Sequence, residues 1–120
     1  MATSEQSYGH ETLIGPFVRY LETGHAPPGF FAPDVVASIH VGGGHYDVRA
    51  PAGLERELQQ YGGPIQTHVL RHEPTPSGFI LEFTQHSPQG DLYEELTWAL
   101  VDHGRVREIR WYCTGIVPRG

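Results

Sequence analysis

The chain contains no lysine: its eight basic residues are all arginine. They are scattered from Arg19 to Arg119 and form no basic run. Without a basic face, nucleic acid is not an expected partner. Cysteine is almost absent. Cys113 alone excludes an internal disulfide and a cysteine-based zinc cluster. No apolar stretch approaches the ~20 residues that a membrane-spanning helix needs, so no membrane partner is expected. The opening run MATSEQSYGHE lacks the basic and apolar regions of a signal peptide, which predicts a cytoplasmic protein. Charge is modest, at 18% of residues with a net charge of −6.

What remains is ordinary globular material. Hydrophobic residues make up 38% of 120 residues, enough for one domain over residues 1–120 with a real core. Residues 1–9 are polar and are expected to be flexible. Fifteen glycines and ten prolines punctuate periodic segments and form no low-complexity tract.

The most regular stretch is Tyr93 to Gly115. Two strand-like runs flank Asp102-His103-Gly104, where Gly104 can take positive φ and Asp102 can bond its own backbone. The first arm places Leu96, Trp98 and Leu100 on one face, with Glu95, Thr97, Ala99 and Val101 on the other. The second places Ile109, Trp111 and Cys113 opposite Val106, Glu108, Arg110 and Tyr112. Neither face is plainly solvent. Helices are expected to cover one face and a second subunit the other, giving a homodimer.

Upstream, Leu13, Ile14, Phe17, Val18 and Leu21 recur at helical spacing over Glu11–Glu22. Pro16 either opens that helix or kinks a longer one. Phe30-Phe31-Ala32 reads as a short turn, and Asp34–Val41 as a strand closed by three glycines. Pro51–Tyr61 predicts a short helix with Leu54, Leu58 and Tyr61 on one face, stopped by Gly62-Gly63. Ile65–His72 and Phe79–His86 read as strands joined by a turn over Pro74–Gly78. The order is helix, strand, helix, then a four-stranded meander. That is an α+β domain whose curved antiparallel sheet wraps N-terminal helices.

The segments Phe17–Glu22, Phe31–Val36, Ser77–Phe83, Asp102–Val106 and Tyr112–Gly115 occur in the order found in a known family. The chain resembles the nuclear transport factor two-like superfamily, in its SnoaL-like and ketosteroid-isomerase-like branch. Its closing Tyr112-Cys113-Thr114-Gly115 is similar to an actinobacterial subgroup. The resemblance implies a cone-shaped α+β barrel with a deep apolar pocket between the first helix and the concave sheet face. It places Tyr20 where isomerases of this kind donate to a developing oxyanion, and Thr97 near their second oxyanion acid. Phe79, Leu81, Phe83, Ile109, Trp111 and Cys113 match pocket-wall positions, and Phe17 and Leu58 complete the expected lining. The family's catalytic aspartate is replaced by Ile39, flanked by Ser38 and His40, and isoleucine cannot move a proton.

Eight histidines are the compositional oddity. His68 and His72 share a strand face but lie roughly 13 Å apart, too far to share a metal. Neither a metal nor a cofactor is expected. A pocket histidine beside a carboxylate would serve as a general acid or base near neutral pH. His68 ranks first for that role, then His40, with Glu95 as partner. Cys113 carries no catalytic sequence signature and reads as a small hydrophobe. Two functions stay open. One is a cofactor-independent cyclase, isomerase or dehydratase acting on a hydrophobic polyketide-like molecule. The other is a non-catalytic ligand-binding module, and beside both stands a purely structural dimer whose core is filled by Trp98, Trp111 and three phenylalanines.

Overall fold

The computed structural model describes residues 10–60 and 64–117, the last three of these by backbone alone. A 3-10 turn over His10–Leu13 leads into helix α1, Ile14–Thr23. Pro16 falls in the first turn of α1, where its missing N–H costs no intrahelical bond. The face carrying Ile14, Phe17, Tyr20 and Leu21 is buried. Strand β1 spans Phe31–Val41 and β2 spans Gly44–Arg49. Helix α2 is Ala50–Gln59, with Pro51 in its first turn as expected. Then follow β3 Gln66–Thr75, β4 Gly78–His86, β5 Leu92–Asp102 and β6 Arg105–Val117.

The strands form a curved, unclosed sheet in the order β2-β1-β6-β5-β4-β3. Neighbours pair antiparallel except β1 and β6, which run parallel. The architecture is therefore an α+β cone, with a parallel pair inside the antiparallel sheet that the sequence suggests. The β5–β6 hairpin turns through His103 and Gly104, both at positive φ, as its sequence requires.

Two local expectations are corrected. Phe31 and Ala32 open β1 rather than forming a helical turn, because Phe31 pairs with Val106 across the sheet. The glycine run after Val41 closes a hairpin, since Gly42 and Gly43 both take positive φ and return the chain as β2. Strand β2 is almost wholly exposed, so it carries little of the apolar alternation that marks a strand in sequence. Residues 1–9, Tyr61 and Gly62-Gly63 lie outside the described residues.

Both helices lie against the concave face. Phe17, Tyr20 and Leu21 of α1 and Leu54 and Leu58 of α2 share one core with Val35, Phe79, Leu81, Phe83, Val106 and Ile109. At the α1 end this core is aromatic. Phe17 meets Phe79 edge-on at 5.5 Å, and Phe30 and Phe31 meet at 4.9 Å. Among the described residues, no helix is long and apolar enough to cross a membrane.

Candidate active site

The aromatic cluster fills the α1 end of the cone, so the deep pocket expected there is closed. Space remains at the other end, where β5 and β6 run past α2 and the β1–β2 hairpin. The register aligns Glu95 with Cys113 and Thr97 with Trp111, so Trp111 lies diagonally across from Glu95. The Trp111 indole N–H donates to Glu95 Oε1 at 2.6 Å. Both residues are buried. The register also shifts between Tyr93 and Glu95, a local irregularity of the kind that re-aims side chains beside binding sites.

Around this pair lies a cavity of about 90 Å³ lined by Ile39, Leu58, Ile65, Gln85, Tyr93 and Cys113, among others. Val41, Tyr46 and Glu57 also line it, and Val41 and Tyr46 are exposed, which marks the mouth. At about 30 Å³ per water, the enclosed space holds about three waters. The Tyr46 hydroxyl donates to Glu57 Oε2, tying β2 to α2 at that mouth. Gln85 is buried and its amide nitrogen donates to the Leu21 carbonyl and to Thr67 Oγ1.

Burial raises the Glu95 carboxyl from 4.5 to about 7, against the opposing pull of the Trp111 hydrogen bond. Among the described residues Glu95 accepts a side-chain hydrogen bond through Oε1 alone. A half-protonated acid at neutral pH, fixed through one oxygen, is equipped to give or take a proton. The Tyr93 hydroxyl is also pushed upward, first by burial and then by the charges of Asp91, Cys113 and Glu95.

The structure brings together four of the residues the sequence singles out: Glu95, Trp111, Cys113 and Leu58. It separates the others. Tyr20 is fully buried and its hydroxyl donates to the Leu54 carbonyl at 2.7 Å. That donor is already used, and Tyr20 does not line the cavity. Thr97 is fully buried and its hydroxyl has no partner; it too lies off the cavity wall. Phe17, Phe79, Leu81, Phe83 and Ile109 are packed core.

The histidine expectation fails on geometry. Thr67 and Val69 are the partly buried residues of that part of β3, so His68 is exposed. His40 lies on the outer sheet face, stacked between His45 and Tyr112, with Nε2 against Ser38 Oγ at 3.1 Å. Among the described residues neither histidine bonds to Glu95, although His40, Phe83, Glu95 and Cys113 all border a hollow of about 650 Å³. Among the described residues, no three His, Cys, Asp or Glu lie close enough to hold a metal.

Sequence reasoning misses Tyr46, Glu57, Ile65, Gln85, Ser87 and Tyr93. Gln85 and Ser87 are polar yet buried, but that is a property of the fold rather than of any motif.

No family model matches the chain, and no curated protein matches it. Solved structures do. A nuclear transport factor two-like protein of unknown function from Burkholderia xenovorans is similar, with a TM-score of 0.73 and 12% identity. That likeness covers 92% of this chain and 86% of the other. A protein of unknown function with a cystatin-like fold from Methylobium petroleophilum gives 0.70 and 17%, covering 92% and 78%. A candidate ketosteroid isomerase from Kribbella flavida gives 0.69 and 14%, covering 91% and 80%. The chain has the nuclear transport factor two-like fold. At these identities the likeness is one of fold, and function has to be argued from the site.

Proposed function

We propose that the chain is a cofactor-independent enzyme that moves a proton through Glu95 on a small, largely apolar group held in the cavity. The observation that carries this reading is Glu95 itself: buried, held by Trp111 and shifted to about 7. Isomerisation, dehydration and cyclisation all need such a group and no redox cofactor. The enclosed volume suits one end of a polyketide-like molecule rather than the whole. Ile39 and Leu58 are apolar parts of its lining. Ile39 stands where the family's aspartate would be, so the proton carrier moves from β1 to β5.

A second reading is a non-catalytic binder using the same cavity. It is favoured by Tyr20, whose donor is spent on Leu54 and cannot stabilise an oxyanion. The test is incubation of pure protein with a panel of small oxygenated compounds, read by chromatography and mass spectrometry. The enzyme reading expects a product whose rate of formation titrates with a midpoint near pH 7. Glu95→Gln should lower that rate by about 100-fold or more. A compound recovered unchanged from the protein establishes the binder instead.

The same reading places the chain in the cytoplasm as one domain and as a homodimer. Leu70, Leu96 and Tyr112 are exposed on the sheet, next to a hollow of about 650 Å³. Sedimentation at micromolar concentration should give twice 13.4 kDa, and a 13.4 kDa species would remove the dimer.

A further inference from the structure

Several of the donors around Glu95 are already engaged. Trp111 spends its N–H on Glu95, Tyr46 spends its hydroxyl on Glu57, and Gln85 spends its amide on Leu21 and Thr67. Ser87 Oγ accepts from the Asp91 backbone and keeps its own O–H to donate. The polar lining includes the Glu95 and Glu57 carboxyls and the Gln85 and Ser87 side chains, all of which carry oxygen lone pairs.

The lining is also one-sided in charge. Among the described residues it contains two carboxyl groups and no arginine or histidine. An anion entering here would be desolvated beside Glu57 and Glu95 with no cation to meet it. Three aromatic residues, Tyr46, Tyr93 and Trp111, share the wall, and aromatic rings attract cations through their quadrupole. The remaining wall is aliphatic, from Ile39, Val41, Leu58 and Ile65. A group that is apolar on its surface and positive at its centre satisfies all of these at once.

We propose that this cavity binds a small alkylammonium group, either a free amine or the ammonium end of a longer molecule reaching in past Val41 and Tyr46. Size agrees, since about 90 Å³ has room for a methylated ammonium head. A metal ion is a poorer fit, because no third ligand accompanies the two carboxylates among the described residues. The proposal rests on the Glu95 site described above but not on its being catalytic. A cation beside Glu95 favours the ionised carboxylate, so binding near neutral pH should release a proton.

The two tryptophans make the test direct. Trp111 lies at the cavity, whereas Trp98 lies on the opposite face beneath the Arg110 guanidinium. The full chain, labelled with nitrogen-15, would be titrated with trimethylammonium chloride at pH 7. Sodium acetate and neutral tert-butanol would be run as probes of similar size. The expected result is a saturable shift of the Trp111 indole signal with trimethylammonium alone, while the Trp98 signal stays fixed. Calorimetry in two buffers should register proton release. Glu95→Gln, which keeps the acceptor for Trp111, should weaken binding by about tenfold and abolish that release. A Tyr46→Phe variant should weaken it less and keep the release.

No saturable shift overturns the proposal. Equal response to acetate or tert-butanol also overturns it, as does unchanged affinity in Glu95→Gln. Trimethylammonium binding without any turnover would uphold the ligand class and refute the enzyme reading. Preferential tert-butanol binding with turnover on neutral compounds would do the reverse.

Discussion

The two ends of the concave sheet face are built from the same strands and behave oppositely. At the α1 end, Thr97, Ala99 and Ile109 of β5 and β6 lie under Phe17, Phe79 and Tyr20, and nothing is left open. Two residues further along the same strands, Glu95, Trp111 and Cys113 line space. At the closed end the Tyr20 hydroxyl goes to Leu54, whereas the buried Thr97 hydroxyl has no hydrogen-bond partner among the described residues. The open end holds the Glu95 carboxyl through one oxygen and raises its affinity for a proton. The difference shows that this fold does not need a pocket for stability. The aromatic end supplies the packing, and that tolerates a poorly solvated acid at the other.

The comparison can be broken most severely at its packed end. Phe17→Ala removes a fully buried ring from the aromatic cluster and should cost about 3–5 kcal/mol in urea denaturation. A cost below 1 kcal/mol would mean that this end is not the anchor.

Glu95→Gln should act in the other direction, and only at higher pH. The folded carboxyl keeps its proton up to about 7, whereas the unfolded one loses it near 4.5. The folded state therefore binds more protons between those values, and stability falls as pH rises from 4.5 to 7. Glutamine has no proton to lose. The variant should match the parent at pH 4 and exceed it by about 3 kcal/mol at pH 8. Parallel stability curves for the two proteins would refute the burial argument.

Tyr20→Phe should cost about 0.5–1.5 kcal/mol by removing the buried hydrogen bond to the Leu54 carbonyl, with ligand response unchanged. A loss of binding with no loss of stability would return Tyr20 to the site. The smallest effect belongs to His68→Ala. As an exposed strand residue it should change stability by less than about 0.5 kcal/mol and leave any activity intact.

The sequence shows the last hairpin clearly because two signals agree there: strict alternation in both arms and a glycine where the turn demands positive φ. Three of the four expected residues that line the cavity lie on it, and Leu58 comes from the helical period of α2. What stays hidden depends on long-range contact. The Tyr20 hydroxyl finds a carbonyl 34 residues away only once α2 is docked on α1. Phe31 is a strand residue because Val106 of β6 pairs with it. His68 is misjudged because its strand gives no apolar alternation strong enough to say which face turns inward. Tyr46 and Glu57 meet across β2 and α2, and β2 itself is too exposed to stand out.

The most direct measurement is the titration of Glu95 by carboxyl carbon-13 chemical shift in the folded protein, assigned with Glu95→Gln. A midpoint near 7 is the predicted result and would establish a buried, proton-exchanging acid at the open end. A midpoint near 4.5 would contradict it, making Glu95 an ordinary solvated carboxylate and leaving the cavity without a group to move a proton.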